Sequence, residues 1–117
     1  MLPKDRRINK GSFDEILKKA PFFHTDTFFS RVLMRKDKQP SLFAVVVTVK
    51  VEKTSVGRHL IKRRILGVLE KLLINTKPGL SCIIYCKKNL LTFSFKEVEK
   101  ETINLLIKSK VLNDKGV

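Results

Sequence analysis

The sequence is poor in acidic residues and cysteine, has no tryptophan, and contains no long apolar run. Its 117 residues include 25 lysines and arginines against 11 aspartates and glutamates, which leaves a formal charge of +14. A hydrophobic content of 43% excludes a disordered basic tail. So large a cationic excess destabilises a compact chain by self-repulsion and is typical of proteins that bind polyanions. A nucleic acid is therefore favoured as the partner over an anionic membrane surface.

The missing apolar run and the scarce cysteines limit the location of the protein. No segment approaches the roughly 18 apolar residues of a membrane span, and the opening MLPKDRRINKGSF lacks the apolar part of a signal peptide. We therefore expect a cytoplasmic protein without a membrane partner. Cys82 and Cys86 lie on one face of a predicted strand about 13 Å apart. They are too distant for a mutual disulfide and lack zinc-ligand spacing, which indicates core residues.

Arrangements typical of protein catalysis are also missing. The sequence shows no paired carboxylates in a predicted pocket and no Ser-His-Asp or Cys-His arrangement. Its two histidines, His24 and His59, lie near predicted loops or helix ends. We predict no catalytic residue and no metal ligand in the protein itself.

The apolar patterns predict one domain spanning residues 1–117, with the element order α-β-β-α-β-α. A first helix over SFDEILKKA has Ser12 as its N-cap and Glu15 completing a capping box. The runs FFSRVLMR and SLFAVVVTVK, separated by KDKQP, predict an antiparallel hairpin, and FAVVVTV is interpreted as a central strand. A helix over 56–74 and the strand LSCIIYCKK follow, and a last helix starts at Ser94 with Glu97 completing its capping box.

The predicted fold is an α/β (α+β) sandwich, in which helices pack on a central sheet of about four strands. The strand-helix-strand unit over residues 42–87 allows a parallel pairing.

The helix over 56–74 carries most of the functional signal. Its aliphatic residues gather on one side at 100° per residue, which predicts packing on the sheet. Arg58 and Lys62 align with that side and are expected to reach past the sheet edge, while Arg63 and Arg64 point away. Cations at a helix N-terminus oppose the macrodipole by a few tenths to about 1 kcal/mol each. A docked phosphate backbone reverses that penalty, because backbone amides and guanidinium groups both point at its oxygens. A solvated charged helix end is the alternative.

These residues resemble the protein subunit of bacterial ribonuclease P. The signature of that family is a strand ending in Lys, a short loop, and an Arg-Asn-Arg followed by a Lys-Arg pair on the long helix. The corresponding stretch here is VTVKVEKTSVGRHLIKRR, and the opening RRINKGSFDEILKK is also similar. The chain departs from the family at His59 in place of Asn, at Leu60 in place of the second Arg, and at Leu66, a position that is often basic.

The resemblance implies a ribosomal-protein-like fold with a left-handed βαβ crossover, and a function. The protein binds the catalytic RNA and the 5′ leader of precursor transfer RNA and promotes removal of the leader. The RNA subunit with its Mg²⁺ carries the chemistry, and no protein partner is predicted. The residues expected to contact the RNA subunit, with Arg64 as our own addition, are Lys50, Arg58, His59, Lys62, Arg63 and Arg64.

The resemblance also implies a leader-binding cleft between the first helix and the sheet. Its expected residues are Phe13, Leu17, Phe29, Arg31 and Val47. Phe28 is the alternative to Phe29, because a slip of one residue exchanges the faces of a strand.

Three other functions compete with this interpretation. The first alternative is a non-enzymatic RNA-binding protein, such as a small ribosomal component. A DNA-binding module is disfavoured because the apolar side of helix 56–74 leaves little face free for a major groove. Membrane-surface binding is disfavoured because that apolar side is needed to cover the sheet.

Overall fold

The computed structural model describes residues 2–113, in which a four-stranded sheet separates one helix from two others. The helices are α1 (Lys10–Lys19), α2 (Ser55–Leu72) and α3 (Phe95–Lys108), and the strands are β1 (Phe22–His24), β2 (Phe28–Met34), β3 (Leu42–Val46) and β4 (Leu80–Cys86). Short 3-10 turns lie at Lys4–Arg6, Leu73–Asn75 and Leu90–Thr92. The predicted mixed α/β sandwich with about four strands is confirmed.

The sheet order β1-β2-β4-β3 corrects the predicted hairpin. β4 lies between β2 and β3, antiparallel to the first and parallel to the second. Six of its seven residues are buried, so β4, and not the predicted FAVVVTV run, is the strand covered on both faces. Residues 35–41 are long enough to cross the end of β4, and they are fastened there by hydrogen bonds to Gly79. Gly79 is required at this crossing, because its φ is +81° and a Cβ would approach the Asp37 carbonyl oxygen to 2.7 Å.

β3 therefore forms an edge of the sheet. The N-terminal segment covers part of this edge through a parallel bridge between Arg7 and Phe43, and the Ile8 N–H donates to the Phe43 carbonyl at 3.2 Å. Beyond Phe43 the strand continues to Val46 and then turns, since the Val51 and Glu52 amides both donate to the Thr48 carbonyl. The predicted strand through Lys50 is thus too long.

Alternation along the strands divides the apolar residues between two faces. The larger core lies between the sheet and the α2–α3 layer, and the smaller cluster joins Ile16 of α1 and its C-cap Ala20 to Ile83 of β4. Cys82 and Cys86 belong to the larger core as free thiols, which confirms their predicted place.

The first residues of the helices show which local sequence signals correctly predicted where a helix begins. At α3 the predicted capping box is present, with the Glu97 amide donating to Ser94 Oγ at 3.1 Å and the Ser94 amide donating to Glu97 Oε1 at 2.9 Å. At α1 the predicted cap is wrong. Asn9 is the N-cap, and its Oδ1 accepts from the Ser12 amide at 2.8 Å, which places Ser12 inside the first turn. α2 begins one residue earlier than predicted, and its last residues become the turn Leu73–Asn75.

Three further features complete the fold. β1 was not predicted, because three residues after Pro21 are too short to show alternation. Within residues 2–113, no helix is long and apolar enough to cross a membrane. β3, α2 and β4 form the expected parallel strand-helix-strand unit, and the left hand of its crossover stays a prediction.

Candidate nucleic-acid interface

One side of α2 carries an exposed row of cationic and polar side chains, which we call the basic stripe: His59, Lys62 and Arg63. Their spacing of three and four residues places them on one side of the helix. Together with Leu66 and Gly67 they line a recess of about 550 Å³. All three members were predicted site residues, and the structure brings them together.

Arg58 points differently from the prediction. Its side chain turns back onto the loop before α2, where Nη1 donates to the carbonyl oxygens of Glu52 at 3.0 Å and Lys53 at 2.8 Å. The guanidinium is therefore partly engaged in holding this loop, although Arg58 still lines a groove with His59 and Lys62. Arg58 has a structural role that its place in the motif did not indicate.

The start of α2 is occupied by a carboxylate from the protein itself. Thr54 caps the helix, accepting from the Gly57 amide at 3.0 Å, and its hydroxyl donates to Glu52 Oε2. Asn89 Nδ2 donates to Glu52 Oε1 at 3.1 Å. The hydrogen bond from Thr54 is the main reason that the pKa of Glu52 is lowered, and the charge of Arg58 adds to the effect.

This arrangement corrects the expectation that a phosphate meets free amides at the start of α2. The Glu52 side chain lies so close to the helix that a Cβ on Gly57 would approach Glu52 Oε2 to 2.3 Å. The negative charge of Glu52 offsets the repulsion among neighbouring cations, which answers why cations are tolerated at this end of the helix.

Arg64 and Lys50 lie apart from the basic stripe. Arg64 is half-buried, and its Nη1 donates to the carbonyl oxygens of Leu90 at 3.0 Å and Leu91 at 3.2 Å, which fastens α2 to the turn before α3. Its predicted contact with RNA is therefore not supported by its position. Lys50 is exposed in the turn after β3, four residues beyond the end of the strand.

The opposite face of the sheet carries a row of rings, which we call the aromatic strip: His24, Phe29 and Tyr85. They are paired across β1, β2 and β4, and Val46 continues the row on β3. The rings of Phe29 and Tyr85 stack with centroids 4.4 Å apart and planes within 5°, and His24 lies 5.9 Å from Phe29. At about 4.8 Å between strands, the row from His24 to Val46 spans about 14 Å.

α1 and Arg31 form the wall beside this strip. Arg31 Nη1 donates to the Leu17 carbonyl at 3.1 Å, and its Cζ lies 4.0 Å from the centre of the Phe22 ring. Phe13 packs in the cluster under α1, while Leu17 is 38% exposed at the rim. Burial raises the pKa of Tyr85, and the nearby charge of Arg31 acts in the opposite direction, so the Tyr85 hydroxyl is protonated at neutral pH.

The register decides between the two phenylalanines of β2. Phe28 is fully buried in the larger core, whereas Phe29 lies on the α1 face as predicted. Val47 is a wrong assignment, because it packs with the larger core and lines a groove beside α2. Its neighbour Val46 lies on the α1 face instead.

Sequence reasoning missed the outer members of the strip. Tyr85 could have been found from its alternation with the buried Ile84, but His24 depends on the short β1, which gave no signal. Phe22, the ring beside Arg31 in the wall, was missed for the same reason.

The two surfaces meet at the end of β3. A groove of about 260 Å³ is lined by Val45, Val46 and Val47 on one side and by Arg58, His59 and Lys62 on the other. Val46, the strand partner of Tyr85 at the end of the aromatic strip, thus lies across this groove from His59 and Lys62 of the basic stripe. Aromatic rings near a cationic groove are typical of proteins that bind single-stranded nucleic acid.

Comparison with known proteins agrees with this class. The family model described as ribonuclease P matches residues 2–110. The ribonuclease P protein component of Rippkaea orientalis (strain PCC 8801 / RF-1) is 29% identical over 116 residues, covering 95% of this chain and 91% of that protein. The corresponding protein of Picosynechococcus sp. (strain ATCC 27264 / PCC 7002 / PR-6) is 28% identical over 113 residues, covering 96% and 97%.

Solved structures show the same fold. The Staphylococcus aureus RNase P protein superimposes with a TM-score of 0.82 at 20% identity, covering 94% of this chain and 100% of that one. The RNase P protein from Thermotoga maritima gives a TM-score of 0.76 at 19% identity, covering 86% and 94%.

The chain belongs to the ribonuclease P protein family. It is therefore a subunit of a ribonucleoprotein endoribonuclease and acts in the 5′ maturation of transfer RNA. Family membership also implies partnership with the ribonuclease P RNA and with precursor transfer RNA.

Proposed function

We propose that the protein uses its two surfaces for two different RNAs. The basic stripe, together with the neighbouring Arg58 and with Lys50 in the turn after β3, binds the phosphate backbone of the ribonuclease P RNA. The aromatic strip and the α1 wall bind the single-stranded 5′ leader of precursor transfer RNA. The observation that supports this proposal is the groove at the end of β3, in which Val46, the strand partner of Tyr85, lies across from His59 and Lys62.

The chemistry of each surface fits its RNA. Lysine and arginine side chains bind phosphates without reading sequence, as required for positioning a large structured RNA. Stacking on aromatic rings accepts any base, as required for leaders of different sequence. Phe29 and Tyr85 already stack on each other through one face, so a base stacks on the outer, partly exposed faces of the row.

Mg²⁺ belongs to the RNA subunit in this proposal. The described residues contain no group of three or more His, Cys, Asp or Glu side chains placed to hold a metal ion. The protein contributes cationic charge where two polyanions meet, which lowers the Mg²⁺ concentration needed to hold them together. We place this activity in the cytoplasm.

The leader contact is tested by comparing substrates with and without a leader. We expect the complex of protein and ribonuclease P RNA to bind precursor transfer RNA more tightly than mature transfer RNA. Phe29→Leu removes a stacking ring, worth about 1–3 kcal/mol per base, and should abolish most of that difference. Phe95→Leu is the matched control, because Phe95 is 52% exposed on α3, away from the strip. Equal loss in both variants, or no loss in either, contradicts the proposed leader site.

A further inference from the structure

Gly67 lies in the interior of α2, where no packing contact within the protein requires a glycine. A Cβ at this position would meet no atom of the described residues within 4 Å outside its own stretch of helix. Gly57 and Gly79 differ, since Gly57 is crowded by Glu52 and Gly79, at the other end of the sheet, has a positive φ. Glycine in a helix interior lowers stability relative to alanine. The missing side chain therefore indicates that a bound ligand approaches the backbone of the helix at this position.

The surface at Gly67 is apolar at its base and cationic at its rim. Leu66 is only 8% exposed and lies beside Gly67 in the recess of about 550 Å³ that contains the basic stripe. Lys62 and Leu66 also line an adjoining recess of about 230 Å³, where Arg7 adds another cation. None of the residues that line these two recesses is acidic.

We propose that an unpaired nucleobase of the ribonuclease P RNA packs against Leu66 and the bare backbone at Gly67, while Lys62 and Arg63 bind the flanking phosphates. This inference rests on the proposed function of the basic stripe and names its ligand. A phosphate alone gains nothing from the apolar surface of Leu66 and Gly67. An unstacked base, by contrast, has a flat apolar face and is joined to phosphates on both sides. A base also needs close access to the backbone, which a side chain at position 67 would block.

The test uses Gly67→Ala and Gly67→Leu with the ribonuclease P RNA alone, without substrate. Both replacements favour helix over glycine, so the Tm of the free protein should rise or stay unchanged. We expect Gly67→Leu to weaken RNA binding roughly tenfold or more, as the loss of one packed base implies, with a smaller loss for Gly67→Ala. Gly11→Leu is the matched control, since Gly11 is an exposed glycine near the start of α1, away from both recesses.

The salt dependence of binding separates the possible results. An affinity loss with an unchanged slope of log K against log[salt] supports a blocked base site, because no phosphate contact has been lost. A loss with a shallower slope shows that Lys62 or Arg63 was displaced, and overturns the proposal. Wild-type affinity in both Gly67 variants overturns it as well. Failure of the proposed function looks different, since the wild-type protein itself would then lack tight, salt-dependent binding to this RNA.

Discussion

Arg58, Lys62 and Arg63 belong to one sequence motif, but their contacts differ. Arg58 should contribute mainly to stability, whereas Lys62 and Arg63 should contribute mainly to RNA binding. Arg58 donates two hydrogen bonds to loop carbonyls. At 0.5–1.5 kcal/mol for each, Arg58→Ala should lower the free energy of unfolding by about 1–3 kcal/mol. Lys62 and Arg63 are exposed, so Lys62→Ala combined with Arg63→Ala should change it by only about 0.5 kcal/mol or less.

The effect on RNA binding should follow the opposite order. Each lost phosphate contact reduces the slope of log K against log[salt] by about 0.7–0.9, so the double variant should lose about 1.4–1.8. Arg58→Ala should lose about 0.9 at most. Urea denaturation gives the stabilities, and filter binding to the ribonuclease P RNA over a series of KCl concentrations gives the slopes. A wild-type slope in the double variant, or wild-type stability in Arg58→Ala, would show that these roles are assigned wrongly.

Three further predictions concern single groups. Burial raises the pKa of the thiols of Cys82 to about 12 and of Cys86 to about 11, so iodoacetamide at pH 8 should modify both in urea but neither in the native protein. The lowered pKa of Glu52 means that its ionised form favours the folded loop. That stability is present above the unfolded-state pKa and is lost as the pH falls through the folded-state pKa. The stability difference between wild type and Glu52→Gln should therefore shrink on acidification, and a difference independent of pH would contradict this. Ser94→Ala removes the cap of α3 and should cost about 1 kcal/mol in urea denaturation, whereas a cost near zero would show that the cap is dispensable.

The parts of the fold that depend on neighbouring residues could be predicted from the sequence. The capping box of Ser94 and Glu97 and the amphipathic pattern of α2 are local, and both are present. The position of β4 between β2 and β3 is not local, because pairing partners lie some fifty residues apart. The N-cap of α1 could not be predicted because Asn9 and Ser12 are both good capping residues, and the sequence does not show which of them precedes the first turn.

In the candidate site, too, the residue types could be predicted from the sequence, but their distant contact partners could not. The family resemblance assigned His59, Lys62 and Arg63 to one RNA contact, and the structure places them around one recess, although the helical spacing was interpreted as pointing Arg63 away from Lys62. The carbonyl partners of Arg64 lie 26 and 27 residues away along the chain, and no pattern around Arg64 indicates them. Val47 was placed on the wrong face because a shift of one residue moves every side chain of a strand to the opposite face, and the sequence does not fix where β3 begins.

The proposed function is tested most directly by the cleavage of a precursor transfer RNA by a bacterial ribonuclease P RNA at limiting Mg²⁺. Cleavage is measured without protein, with the wild type, and with the variant in which Arg58, Lys62 and Arg63 are replaced by alanine. We expect the wild type to stimulate removal of the 5′ leader, and the variant, added at a concentration and temperature where it is folded, not to stimulate it. Tight RNA binding by the wild type without stimulation, even with the cognate RNA, would contradict the proposed function.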